Sequence, residues 1–183
     1  MILYSIQPEN LYEKLLKEKV IVNNGEFLSD FGKDFSGQYK WMAEQMMWRG
    51  IEKNFASGLA SKYPFWAWYK YSSKKNKPDL RHAGHALRGT NCVCMELELE
   101  EDSVLLSNFD LWHCVLNDMP VFAEDEWDDS YAAYKKLSSE KQAEIKNKSW
   151  EKIFTDFSDS PVQATFWTLR LEDVRHIRKF TAR

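Results

Sequence analysis

Side chains that could jointly hold a small molecule are scattered along this chain rather than gathered in one motif. Trp66 and Trp68 offer flat rings, Lys77, Asp79 and Arg81 offer charges in one short segment, and Gln163, Thr165 and Trp167 share one side of an alternating stretch. Tyr4 or Gln7, near the start, adds a phenol or an amide. Trp and Tyr stack on rings, Lys and Arg meet phosphates, and Gln makes amide contacts. A nucleotide-type ligand would use all three. The plainer reading is that the aromatic residues form core and the charged segment is a solvated loop; both readings stay open at this point.

Other chemistries fit less well. His82 and His85 precede Cys92 and Cys94 closely enough to offer four zinc-type donors, but a C-x-C pair lacks the spacing of a zinc knuckle. Two loop histidines and two buried thiols explain the same residues. Asp79 ahead of Glu96 and Glu98 offers acids for Mg²⁺, as in many nucleases, yet Glu98 stands where a Lys would complete such a site. Asp110, His113 and Cys114 are close in sequence, but on a helix His113 and Cys114 point about 100° apart and cannot pair. There is no G-x-S-x-G elbow, P-loop or dinucleotide fingerprint. No residue is assigned a catalytic role, and no metal is expected.

Composition sets the outer limits. A chain of 183 residues that is 44% hydrophobic can build one full core, so a single domain over 1–183 is expected. Eight Trp, eight Tyr and eleven Phe are enough for some rings to line a cleft as well as the core. The net charge of -3 argues against general nucleic-acid affinity. Charge is uneven: residues 70–88 hold four Lys and two Arg against one Asp, and residues 96–130 hold twelve acids with no Lys or Arg. The first stretch could hold an anion, and the second could meet a basic protein partner. No apolar run reaches the roughly 20 residues of a membrane span, and the opening residues lack the charged region of a signal peptide. Three cysteines, an odd number, read as reduced thiols, and a cytoplasmic location is expected.

The elements that must position these residues follow from periodicity. Residues 2–6 alternate as a strand, and Pro8 and Glu9 open a helix with Leu11, Leu15 and Leu16 as its stripe. Residues 20–22 extend before the Asn23-Asn24-Gly25 turn, 27–38 read as a loop, and Tyr39, Met42, Met46 and Met47 predict a helix over 39–55. In the strand at 65–71, Trp66, Trp68 and Lys70 share one face, and a loop follows at 72–80. Residues 91–100 alternate, with Cys92, Cys94 and Glu96 opposite Val93, Met95 and Leu97. Residues 104–106 extend beside them, and Ser107 and Asn108 cap a short helix. Helices near 131–137 and 139–145 and a turn at 149–154 form an insert before strands at 162–171 and 175–180. The expected fold is α+β: one domain with a mixed or antiparallel sheet, strands from both ends of the chain and a central helical insert.

At these residues the chain resembles the uncharacterised prokaryotic family catalogued as domain of unknown function 3841. The likeness runs through Leu3-Tyr4-Ser5-Ile6-Gln7, Tyr39-Lys40-Trp41-Met42, Pro64-Phe65-Trp66-Ala67-Trp68-Tyr69 and Lys77-Pro78-Asp79-Leu80-Arg81. It continues through Val104-Leu105-Leu106-Ser107-Asn108, Trp112-His113, Ser149-Trp150-Glu151 and Val162-Gln163-Ala164-Thr165 with Trp167. Trp112 and His113 thereby join the candidate ligand-binding set. The family brings no established activity.

The chain is also similar to ADP-ribosyltransferases, particularly those that modify DNA or RNA. Their domains begin with a strand and a Leu-rich helix and end with a strand bearing Gln-x-Glu ahead of a short turn. Gln163-Ala164-Thr165 falls at that motif with Thr165 in place of the catalytic Glu, and Gln7 stands near where a His or Arg would grip NAD. A Thr cannot stabilise positive charge developing on a ribose. The resemblance therefore implies binding of NAD or a related nucleotide, with any transfer depending on other residues. No motif requires a cofactor. A non-enzymatic interaction module using the acidic stretch is the alternative.

Overall fold

The first helix shows how local chemistry sets the architecture of this computed structural model, in which residues 1–26, 34–51, 62–157 and 159–183 are described. Strand β1 (Ile2–Pro8) leads straight into α1 (Glu9–Glu18), with Pro8 at the N-cap and Glu9 against the positive helix end. Leu11 and Leu15, one turn apart, are fully buried. Leu16, about 100° further round, is largely exposed. Lys19 ends the helix in the left-handed region (φ 67), and its N–H donates to the Leu15 carbonyl at 2.9 Å.

The chain continues through β2 (Val20–Val22), α2 (Ser36–Trp48), β3 (Phe65–Lys70), β4 (Asn91–Glu98), β5 (Leu105–Asn108) and α3 (Phe109–Leu116). Then come α4 (Trp127–Tyr134), α5 (Ser139–Ser149), a 3-10 turn (Trp150–Phe154), β6 (Val162–Phe166), β7 (Thr168–Arg170) and β8 (Val174–Thr181). Six strands form a sheet in the order β5-β6-β3-β1-β4-β8, every neighbouring pair antiparallel, and β2 pairs with β7 separately. The α+β architecture expected from the pattern is observed, with α4, α5 and the 3-10 turn as the helical insert.

Two differences have local causes. The alternating stretch at 162–171 splits because Trp167 turns into the core, where its Nε1 donates to the Ile51 carbonyl at 2.9 Å. The chain then resumes as β7 against β2. Helix α2 begins at Ser36, inside the expected loop, and stops at Trp48. Gly50 (φ 79) turns the backbone there, and the Ile51 N–H donates back to the Met46 carbonyl. The remainder of the expected loop at 27–33 and of the expected helix at 52–55 lies outside the described residues.

Both faces of the sheet are covered. On one, Leu3, Phe65, Val93, Met95, Leu97 and Phe166 pack with Leu11 and Leu15 of α1 and with Leu99 and Val104 of the crossover to β5. On the other, Met42 and Met46 of α2, Trp112 and Val115 of α3, Trp150 and Ile153 pack over the β5 end. The loop at 71–90 lies over the β1-β4-β8 end, with Leu80 buried in it and the His85 ring edge-on to Phe180 of β8 at 6.0 Å. That cover explains why Cys92 and Cys94, on the alternate side of β4 from Val93 and Met95, are buried as well.

Candidate functional site

Strand register aligns one row of side chains across the whole sheet. Ser107 lies opposite Gln163, Gln163 opposite Trp68, Trp68 opposite Tyr4, Tyr4 opposite Glu96, and Glu96 opposite His176. Cross-strand partners share a face, so all six project to the side carrying α2, α3 and the loop. Ser107 is fully buried at one end and His176 is exposed at the other. Trp68 is half-buried between the two covers: its ring meets Phe109 of α3 edge-on at 4.8 Å and Tyr71 of the loop at 5.1 Å.

The loop sets cations above this row. Lys77 Nζ lies 5.4 Å from the Tyr4 ring centroid and 3.6 Å from a Glu96 oxygen. The Tyr4 phenol is pushed up from its ordinary value, first by burial and then by the Glu96 carboxylate. Arg81 donates to Asp79 from Nε at 2.9 Å, from Nη2 at 2.6 Å and from its backbone N–H at 3.1 Å. These bonds hold the Asp79 carboxyl well below the usual carboxylate range. The Tyr71 hydroxyl and His82 Nδ1 are 3.1 Å apart, and His85 Nε2 is 2.9 Å from the Asp79 carbonyl. Tyr71 thus links Trp68 to His82, whose Nε2 lies 3.9 Å from an Asp79 oxygen.

Tyr4, Trp68 and Gln163 therefore come together in the row, with Lys77 over Tyr4, while Asp79 and Arg81 pair with each other further along the loop. His113 flanks it from α3, its ring edge-on to Phe109 at 4.6 Å and its Nδ1 2.9 Å from the Phe109 carbonyl. The other expected residues lie elsewhere. Gln7 occupies the opposite face of β1 from Tyr4 and donates to Ser5 Oγ at 3.0 Å. Trp66 turns to the aromatic cluster, 5.0 Å from Trp112 and 5.6 Å from Tyr39. Trp112 and Trp167 are buried in that cluster. Thr165 is fully buried and donates its hydroxyl to the Leu105 carbonyl at 3.2 Å.

Tyr71, Phe109, Glu96 and His176 belong to the surroundings without having been singled out for them. Glu96 had a signal, since it alternates with the apolar side of β4; Tyr71 and Phe109 had none beyond being aromatic. His82 and His85 bracket the Tyr71 ring at 6.1 and 5.9 Å rather than facing a pair of thiolates. Burial pushes the Cys94 thiol up to about 11. Among the described residues, no three or more His, Cys, Asp or Glu side chains form a group that could hold a metal. The acids of 96–130 are dispersed over several elements, and Glu96, Glu98 and Asp118 face Lys77, Arg175 and Lys146 respectively.

Two hollows of about 270 Å³ lie away from the row. One runs past Ser103, Thr168, Arg170 and Asp173; its two large rings, Phe166 and Trp167, are buried, and the Trp167 N–H is engaged. The other passes Tyr131, Tyr134, Gln142 and Lys146, where the two tyrosines stack on each other at 6.0 Å. The first thus offers no exposed ring, and in the second Lys135 Nζ already lies 5.7 Å from the Tyr131 ring centroid.

The fold and this row define an α+β domain built on an antiparallel sheet with one loop-covered polar strip. The chain belongs to the family described as Domain of unknown function (DUF3841), which matches residues 2–175. Among curated proteins and among solved structures, nothing matches the chain. Among the described residues, no helix is long and apolar enough to cross a membrane.

Proposed function

We propose that this domain binds a nucleotide-type ligand, NAD or a related nucleotide, in an ADP-ribosyltransferase-like manner on the face bearing Gln163, Trp68 and Tyr4. The register that sets those three side by side beneath Lys77 carries the reading. A planar ring would stack on the accessible part of Trp68, Lys77 and Arg81 would meet phosphates, and the Gln163 amide would bond a polar edge. Lys77 is available because its 3.6 Å contact with Glu96 is long and partly exposed, and such pairs are weak. The reading is one of binding first. The Thr165 hydroxyl is turned inward to Leu105, so transfer chemistry would have to draw on Glu96, the carboxylate of the row. A cytoplasmic setting accords with three free thiols.

A thermal-shift series with NAD, ADP-ribose, AMP and nicotinamide mononucleotide tests this, together with incubation of the protein and cell lysate with labelled NAD. Stabilisation by NAD or ADP-ribose supports the proposal. If none of the four shifts the melting temperature and no label is transferred, it is wrong. The alternative, an acidic surface meeting a basic protein, has less support, because the acids are spread over separate elements and several already face cations.

A further inference from the structure

Strand β8 is an outer strand of the six-stranded sheet: one edge pairs with β4, and among the described residues nothing pairs with the other. It is eight residues long and carries Arg175, His176, Arg178 and Lys179 with no acid. Arg175 bonds Glu98 at 2.7 Å and Lys179 bonds Glu9 at 2.6 Å, whereas Arg178 has no ion pair among the described residues. The basic loop lies against the same end of the sheet, through His85 on Phe180, and adds Lys74, Lys75 and Arg88. An open strand edge is a row of unpaired N–H and C=O groups, and charge decides what may pair with it. A second copy of β8 would set like charges against one another, which disfavours self-pairing. The same charges select an acidic strand.

We propose that the open edge of β8 binds an acidic, extended peptide segment of a partner protein, which adds to the sheet as a further strand. Backbone hydrogen bonds would provide the pairing, and Arg178 with the loop lysines would select the charge. This docking involves neither Trp68 nor Gln163, so it stands or falls separately from the nucleotide reading.

The test is fluorescence anisotropy with a labelled peptide of alternating Glu and Val, about ten residues long, followed by hydrogen exchange of the full chain. The expected result is binding that weakens about tenfold when alternate peptide amides are N-methylated. It should also weaken in Arg178→Glu and protect β8 amides from exchange. The proposal is overturned by equal binding of the N-methylated peptide, which would mean charge attraction alone. It is equally overturned by equal binding of a Lys and Val peptide, by preferential binding of single-stranded RNA, or by unchanged exchange in β8.

Discussion

Trp66 and Trp68 stand two residues apart on the same face of β3, yet their surroundings differ in kind. Trp66 packs against Trp112 and Tyr39 in the aromatic cluster, whereas Trp68 sits edge-on between Phe109 and Tyr71 at the margin of two covers. One ring is therefore packed within a cluster, and the other lies where two covers meet. Trp66→Ala should destabilise the domain by about 3 kcal/mol, as large-to-small changes in aromatic clusters do. Trp68→Ala should cost clearly less and keep the domain folded. Chemical denaturation of both variants checks this, and equal losses would remove the distinction.

The indole nitrogens allow a sharper comparison. Among the described residues Trp66 Nε1 is buried without a hydrogen-bond partner, whereas Trp167 Nε1 donates to the Ile51 carbonyl. Replacement by Phe keeps most of the ring and removes the N–H. Trp167→Phe should therefore cost about 1 kcal/mol more than Trp66→Phe, the net worth of one hydrogen bond. The reverse order, read from denaturant midpoints, would contradict the geometry.

Asp79 gives a pH prediction. Its folded carboxyl lies below its unfolded value because Arg81 bonds it. The pair's contribution is thus complete above about pH 4, the unfolded value, and is lost as pH falls through the folded one. A carboxyl-carbon NMR titration should show Asp79 titrating well below the ordinary unfolded-chain value in the wild type and moving up toward it in Arg81→Ala. That variant should stay folded, since the Arg81 side chain is 72% exposed, and under the proposed function it should bind ADP-ribose less tightly. If Arg81→Ala unfolds the domain, the loop depends on this pair.

The thiols should separate by position. Cys92 and Cys94 are buried, Cys114 is half-exposed, and burial pushes all three up, Cys94 to about 11. Iodoacetamide at pH 8 should modify Cys114 first and reach the other two only in denaturant, as read by mass spectrometry. Because the Cys94 value is raised on folding, its contribution to stability is complete below the unfolded thiol value of about 8.5. It declines as pH rises from there toward 11.

Periodicity made much of the scaffold legible. Alternation marked β1 and β4, the spacing of Leu11 and Leu15 marked the buried face of α1, and Asn108 was visible as a cap, its side chain accepting from the Leu111 N–H at 3.1 Å. The site was legible only in its residue types. That Tyr4 meets Trp68 rather than Trp66 depends on pairing between distant strands, which no local pattern encodes. Gln163 and Thr165 share a side of β6 by alternation, but the position of the helices over that side buries Thr165 fully and Gln163 only partly. The break at Trp167 was hidden because the alternation simply continues across it. Gln7 and Tyr4 could be ranked only once Tyr4 was known to lie opposite both Trp68 and Glu96.

The central claim is that Trp68 and Lys77 face a nucleotide while Thr165 does not. Isothermal titration of ADP-ribose into the wild type, Trp68→Ala, Lys77→Ala and Thr165→Val at one salt concentration tests it most directly. Saturable binding to the wild type is predicted, about tenfold weaker in Trp68→Ala and Lys77→Ala and unchanged in Thr165→Val. No binding by the wild type, or equal affinity in the Trp68 and Lys77 variants, would contradict it.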